Sequence, residues 1–149
     1  MSNEIRKYKI FTYHTNLNWS GSRQGKLSSD GKPTIDISSP PEFKGIPNVW
    51  TPEDLFVASV EICTMSTFIS FGTRNEIPLK SYTSSAEGVL EFVDGKYIFT
   101  KIYIRPTIVV EKSWSEEQVL KIVHIAHDNC LVGNSMKSEI IIEPTIILE

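Results

Sequence analysis

The chain has 149 residues, 40% of them hydrophobic and 22% charged, with a formal net charge of −3. That is enough for one domain, residues 1–149, with a real core, and the acidic balance without a basic run excludes nucleic acid as the main expected partner. No apolar stretch reaching the roughly 18 residues a bilayer demands is expected, and Met1 to Tyr13 lacks the apolar segment of a secretory signal, so no membrane partner is expected and the expected compartment is the cytoplasm.

The first half reads as strands. Lys7 to Thr15 is rich in Tyr, Phe, Ile and Thr and predicts a strand. Trp19 to Ser28 contains Gly21, Ser22 and Gly25 and reads as a turn between strand ends. Asp30-Gly31 is a further turn signal, and Thr34 to Ser38 alternates with Ile35 and Ile37 on one face. The loop Ser38 to Asn48 carries the clustered prolines.

A helix is expected from Thr51. Thr51 can cap, Pro52 suits the first helical position, and Glu53 and Asp54 suit the positive end of the macrodipole. From Leu55 to Phe71 the chain is apolar almost all round, with Glu61 the only charge, which predicts a buried central helix. Leu79 to Val93 and Lys96 to Glu111 form a predicted hairpin about the Asp94-Gly95 turn. Ser113 or Ser115 caps a second helix whose apolar stripe is Val119, Ile122, Val123 and Ala126. Cys130 falls at or just past its end. Ser138 to Leu148 is a last strand region interrupted by Pro144. The order β-β-β-α-β-β-α-β predicts an α+β fold with a mostly antiparallel sheet.

Two cysteines are too few for a disulfide scaffold. In a reducing compartment they are either small buried hydrophobes or a redox device. Sequence separation does not tell whether Cys63 and Cys130 meet; a disulfide needs Cα atoms within roughly 4.4–6.8 Å. His124, His127 and Cys130 spell H-x-x-H-x-x-C on helical spacing, yet no fourth ligand of suitable spacing accompanies them, so no metal is assigned. His14 reads as a surface residue on a strand. No nucleophile elbow and no phosphate-binding glycine motif occurs. The turn Gly21-Ser22-Arg23-Gln24-Gly25 by itself reads as a solvated loop with one charge.

Taken together, several segments resemble the OsmC/Ohr family of thiol peroxidases. Trp50-Thr51-Pro52-Glu53-Asp54-Leu55 running to Cys63 resembles the family's helix signature. Ala126-His127-Asp128-Asn129-Cys130 running to Asn134-Ser135 resembles its second cysteine signature. Trp19 to Gly25 resembles its glycine-rich arginine turn, and Pro41-Glu42-Phe43-Lys44-Gly45 its loop before the helix. The resemblance implies an intertwined homodimer, with sheets wrapped around two long central helices and active sites at the subunit interface. It implies reduction of organic hydroperoxides, with Cys63 as the peroxidatic thiolate, Cys130 as the resolving thiol, and small thiols or lipoylated proteins as reductant. No cofactor is implied.

By the same resemblance Arg23 is the cation that activates Cys63, and Glu53 is the carboxylate that orients it. The helix N-terminus at Pro52 is roughly 16 Å from Cys63, too far for its dipole to act. Glu53 and Cys63 are about 15 Å and roughly 80° apart on a straight helix. Three arrangements remain: a bent helix, a bridging arginine, or a Glu53 that serves the partner chain's Cys63. An apolar pocket drawn from Phe11, Phe43, Trp50, Phe56, Met65 and Phe68 would suit bulky hydroperoxides. The turn and Glu61 depart from the family's peroxidase branch, which bears on the preferred substrate and reductant; a non-catalytic protein that binds an apolar ligand or senses redox state is the alternative.

Overall fold

The computed structural model describes residues 8–149. The chain divides into two compact units, residues 1–52 and 53–149.

The N-terminal unit holds a three-stranded antiparallel sheet in the order β1-β2-β3, formed by β1 (Asn16–Gly21), β2 (Gln24–Ser28) and β3 (Ile35–Ser38). Residues 8–15 are not in a strand, contrary to the aromatic pattern that predicted one; the Lys7 end of that expectation lies outside the described residues. Tyr8, Ile10, Phe11 and Tyr13 are instead strongly exposed, because β-propensity needs a neighbouring strand to act on. The segment expected to be only a turn, Trp19 to Ser28, supplies most of a hairpin. It turns at Ser22 and Arg23, where Gly21 and Ser22 both have positive φ (121° and 49°).

A 3-10 turn, Pro41–Phe43, follows, and Gly45 is packed where only hydrogen fits: a Cβ there would lie 1.4 Å from the Ser39 carbonyl oxygen. Among the described residues of this unit, only Gly25, Ser38 and Thr51 are buried. It has a sheet but almost no core.

The long helix α1 (Pro52–Arg74) begins where proline at the first turn predicted. Val60, Thr64, Phe68 and Gly72 are buried, a single stripe at i+4 spacing. The helix is therefore not buried all round within one chain: Ile62, Met65 and Ile69 are 60%, 39% and 37% exposed. By length and composition α1 could also cross a membrane, contrary to the expectation that no run is long enough. The mean apolarity of the helix tolerates its one mid-helix carboxylate, Glu61, which accepts a 2.7 Å hydrogen bond from Ser84.

The hairpin of β4 (Leu79–Val93) and β5 (Lys96–Val110) turns at Asp94-Gly95, both in the left-handed region (φ 49° and 83°) as a two-residue hairpin turn requires. Helix α2 (Glu116–Asp128) is capped by Ser115, with Gln118 closing the reciprocal capping box. After the short α3 (Leu131–Asn134), β6 (Glu139–Ile142) and β7 (Thr145–Leu148) both run parallel to β5, so the expected mostly antiparallel sheet is mixed. Pro144 splits the expected last strand in two, because it has no N–H to give the ladder. The α2 crossover is what makes the return parallel.

Two core clusters join these elements. Phe68 packs with Ile108, Val110, Val119, Ile122, Val123 and Ala126. Val60 packs with Ile102, Ile104 and Cys130. Phe68 thus belongs to the core rather than to an open pocket. Gly88 marks a close approach of α1 to the hairpin: an added Cβ would meet Val57 at 2.5 Å and Phe99 at 2.9 Å. Gly88→Ala is expected to cost about 1–3 kcal/mol through overpacking, read as a lowered denaturation midpoint with an unchanged slope in urea.

Candidate active site

Cys63 lies at the start of the fourth turn of α1, one residue before the buried stripe position Thr64. Cys130 is the N-cap of α3, with extended backbone, and is 3% exposed. The fold packs Cys63 against the core cluster that contains Cys130, close enough for the two thiols to influence each other's acidity. Both are free thiols.

The environment treats them differently. Burial pushes the Cys63 thiol up, but hydrogen bonds from the Val132 backbone N–H, the Cys130 thiol and the Leu131 backbone N–H outweigh it, and its pKa falls below the ordinary thiol value. Burial pushes the Cys130 thiol up. The Gly133 N–H, 3.5 Å from its sulfur, offsets only part of this, and the neighbouring Cys63 raises it further. The pair is therefore poised as a Cys63 thiolate accepting from a protonated Cys130. Their titrations are linked, so the first proton leaves the pair from the Cys63 side.

The donors to Cys63 come from an unexpected place. The first amides of a helix have no intrahelical acceptor, and those of α3 at Leu131 and Val132 face the α1 cysteine. The N-terminus of α1 itself is too remote to do this. Sequence reasoning looked for a cation and did not assign these backbone groups, whose only signal was a cysteine placed where a cap residue stands.

Two threonines frame the sulfurs. Thr67 Oγ1 is 3.9 Å from the Cys63 sulfur, but its single proton goes to the Cys63 carbonyl oxygen at 2.7 Å. The amides, not this hydroxyl, therefore carry the stabilisation of the thiolate. Thr64 likewise gives its proton to the Val60 carbonyl at 2.7 Å, and its oxygen lies 3.9 Å from the Cys130 sulfur.

Arg23 lies exposed at the tip of the β1–β2 turn. Its main chain is held there by Ser39 N–H, which donates to the Arg23 carbonyl at 3.2 Å, and by the Trp19 indole, which donates to the Ser22 carbonyl at 2.9 Å. Glu53 lies in the first turn of α1, and its Oε2 is buried without a hydrogen-bond partner among the described residues. An orphaned carboxylate oxygen is costly and calls for a donor. Of the four predicted site residues, the two cysteines meet within one unit, while Arg23 belongs to the N-terminal unit and Glu53 to the other.

His124 is exposed on α2, and His127 shares with Cys130 the wall of a cavity of about 340 Å³. Among the described residues no three His, Cys, Asp or Glu side chains converge as a metal site would require. On β4, burial and the Glu61 carboxylate push the Tyr82 phenol up to about 12, which keeps it neutral beside Phe68.

A family model described as OsmC-like protein matches residues 45–145. Among solved structures, an OsmC-like protein of unknown function from Vibrio cholerae is 27% identical, covers 91% of this chain and 99% of its own, and superposes with a TM-score of 0.84. An organic hydroperoxide resistance protein from Elizabethkingia anophelis is 19% identical with a TM-score of 0.76, covering 96% of this chain and 100% of its own. An uncharacterised Bacillus subtilis protein is 22% identical over 86% of this chain and 88% of its own.

Proposed function

The chain belongs to the OsmC-like protein family, and from that premise we propose that it is a thiol peroxidase that reduces organic hydroperoxides to alcohols. The observation that carries this reading is the contact between two thiols of opposite acidity, Cys63 lowered and Cys130 raised. The structural relatives include organic hydroperoxide resistance proteins, which supports a peroxide-related role.

The Cys63 thiolate attacks the distal peroxide oxygen and the O–O bond breaks. The alkoxide leaves as alcohol with a proton, and Cys63 becomes a sulfenic acid. Cys130, whose proton is lost in the step, attacks that sulfur and displaces water, which leaves a Cys63–Cys130 disulfide. A thiol reductant, a small molecule or a lipoylated protein, then returns both cysteines to thiols by exchange. The split acidity suits this order: the lower-pKa sulfur is the nucleophile first, and the other stays protonated until a sulfenic acid is there to receive it.

In this reading the working unit is a homodimer. The exposed apolar face of α1 at Ile62, Met65 and Ile69, and a three-stranded unit with almost no core of its own, both ask for a second chain. The roles expected for Arg23, a fixed positive charge, and for Glu53, a carboxylate with one unpartnered oxygen among the described residues, are kept in this reading.

The test is peroxide consumption by purified protein with cumene hydroperoxide or hydrogen peroxide, and dithiothreitol or dihydrolipoamide as reductant. Turnover preferring the organic peroxide is expected. In Cys130→Ser a single oxidation followed by sulfinic acid on Cys63 should replace turnover with the dithiol. No turnover in the wild type with either reductant, and Cys63 left unmodified by peroxide, would overturn the reading in favour of a ligand-binding protein. A pH profile adds a second check. Because the thiolate is the nucleophile and the Cys63 pKa is lowered, the oxidation rate should rise with pH and level off below the pH at which an ordinary thiol, of pKa about 8.5, would. A profile that still climbs at the ordinary thiol pKa would remove the amide-stabilised thiolate from the mechanism.

A further inference from the structure

Cys130 has a neighbour that the peroxide chemistry leaves unused. Its wall of the 340 Å³ cavity is shared with His127, Asp128, Asn134, Ser138 and Glu139, and no residue of α1 lines that space. Cys130, 3% exposed, stands in the wall of this space on a side that α1 does not line. Two carboxylates, Asp128 and Glu139, stand in its wall, and the carbonyl end of α2 at Asp128 adds the negative pole of that helix. Asn134 is held in place by donating through Nδ2 to the Asp128 carbonyl at 3.1 Å, and Ser138 by donating to the Phe99 carbonyl at 2.7 Å.

We propose that this cavity is the reductant site, in which a small thiol carrying no negative group besides the reacting thiolate attacks the Cys130 sulfur of the oxidised protein. The proposal rests on the peroxidase reading, since it needs the Cys63–Cys130 disulfide as its substrate. In disulfide exchange the incoming thiolate, the attacked sulfur and the departing sulfur align, so attack on Cys130 requires an approach from a side that Cys63 does not occupy. The cavity borders Cys130 on such a side.

The step balances as ordinary exchange. A thiolate of the reductant forms a bond to the Cys130 sulfur, the Cys130–Cys63 bond breaks, and Cys63 departs as a thiolate. With a dithiol, its second thiolate then attacks the mixed disulfide, releasing Cys130, which takes up a proton, and a cyclic disulfide that carries away the two electrons' worth of oxidation. The regiochemistry agrees with the acidities, because the sulfur with the lower pKa is the better leaving group. Peroxide and reductant thereby use different sulfurs and different approaches: the peroxide reaches Cys63 and the thiol reaches Cys130.

Two experiments test this on the full-length oxidised protein. In the first, the disulfide is formed with cumene hydroperoxide, treated with 2-mercaptoethanol for less than one turnover, quenched with iodoacetamide and mapped by mass spectrometry. The expected result is a mercaptoethanol adduct on Cys130 and alkylation on Cys63; the reverse pattern would overturn the proposal and leave the peroxidase reading intact. Failure of peroxide to form the disulfide would instead sink the peroxidase reading, and diamide would then form it, so that the site of attack is read in either case.

In the second, single-turnover reduction rates are compared for cationic cysteamine and anionic 2-mercaptoethanesulfonate in low salt. The ratio of the two rates is expected to fall about three- to tenfold in Asp128→Asn/Glu139→Gln relative to wild type. Comparing ratios cancels the intrinsic reactivity of each thiol and any uniform loss from altered packing. A ratio unchanged by the substitutions would refute a role for the cavity's charge.

Discussion

Replacing Cys63 with serine is expected to abolish hydroperoxide turnover, by at least about a thousandfold, while leaving the fold in place. The hydroxyl is close to isosteric with the thiol, and Cys63 is only half-buried on α1, so the packing of Val60, Ile102 and Ile104 around it has little reason to change. The chemistry has every reason to. The amides of Leu131 and Val132 and the Cys130 thiol stabilise a sulfur anion, and no such shift brings an alcohol to its alkoxide near neutral pH. Cys130 alone cannot substitute, because burial holds its own pKa up and keeps it protonated. The measurement is consumption of cumene hydroperoxide over many turnovers, beside circular dichroism and a urea melt to show that the variant is folded. Turnover within about tenfold of wild type in a folded Cys63→Ser would remove Cys63 as the nucleophile.

The second large effect concerns assembly. Ile62 is 60% exposed in the middle of an apolar helix, two residues from the buried Val60 on one side and one from Cys63 on the other. If α1 meets its counterpart in a second chain, Ile62→Asp removes the burial of an isoleucine, worth about 2 kcal/mol, and brings a carboxylate into the same contact. A twofold-symmetric interface counts each substitution twice, so the dissociation constant should rise by about a thousandfold or more. Sedimentation or light scattering across a dilution series is the readout: a wild-type dimer and an Ile62→Asp monomer are expected. Activity should be lost together with the dimer if the second chain completes the site. A wild-type protein that stays monomeric at micromolar concentration, with full peroxidase activity, would overturn the dimeric site.

Much of the local structure was legible in the sequence, for reasons that are themselves local. Asp94-Gly95 dictates a tight hairpin because both residues tolerate positive φ, and the strands on either side, Leu79–Val93 and Lys96–Val110, match the expected bounds to within a residue. Pro52 starts α1, and Ser115 with Gln118 starts α2, because each satisfies or dispenses with backbone donors that any helix start leaves free. The motifs around Cys63, Cys130 and the arginine turn also carried the family. What the residues could not give was pairing. Residues 8–15 have strand composition but no strand partner, and β6 and β7 run parallel to β5 only because α2 carries the chain back across the sheet.

The site divides in the same way. That Cys63 and Cys130 were the reactive candidates followed from the family resemblance of the segments around them; that they pack together, and that one is acidified while the other is not, was decided by tertiary structure. Hydrogen bonds from the Leu131 and Val132 amides to the Cys63 sulfur depend on where α3 is set against α1, and main-chain donors leave no mark on residue type. Capping, turn chemistry and helical periodicity act over a few residues and are written in the order of side chains. A thiol's acidity depends on which donors and how much apolar volume the fold brings to within hydrogen-bond range of it, and those come from residues far away in the chain.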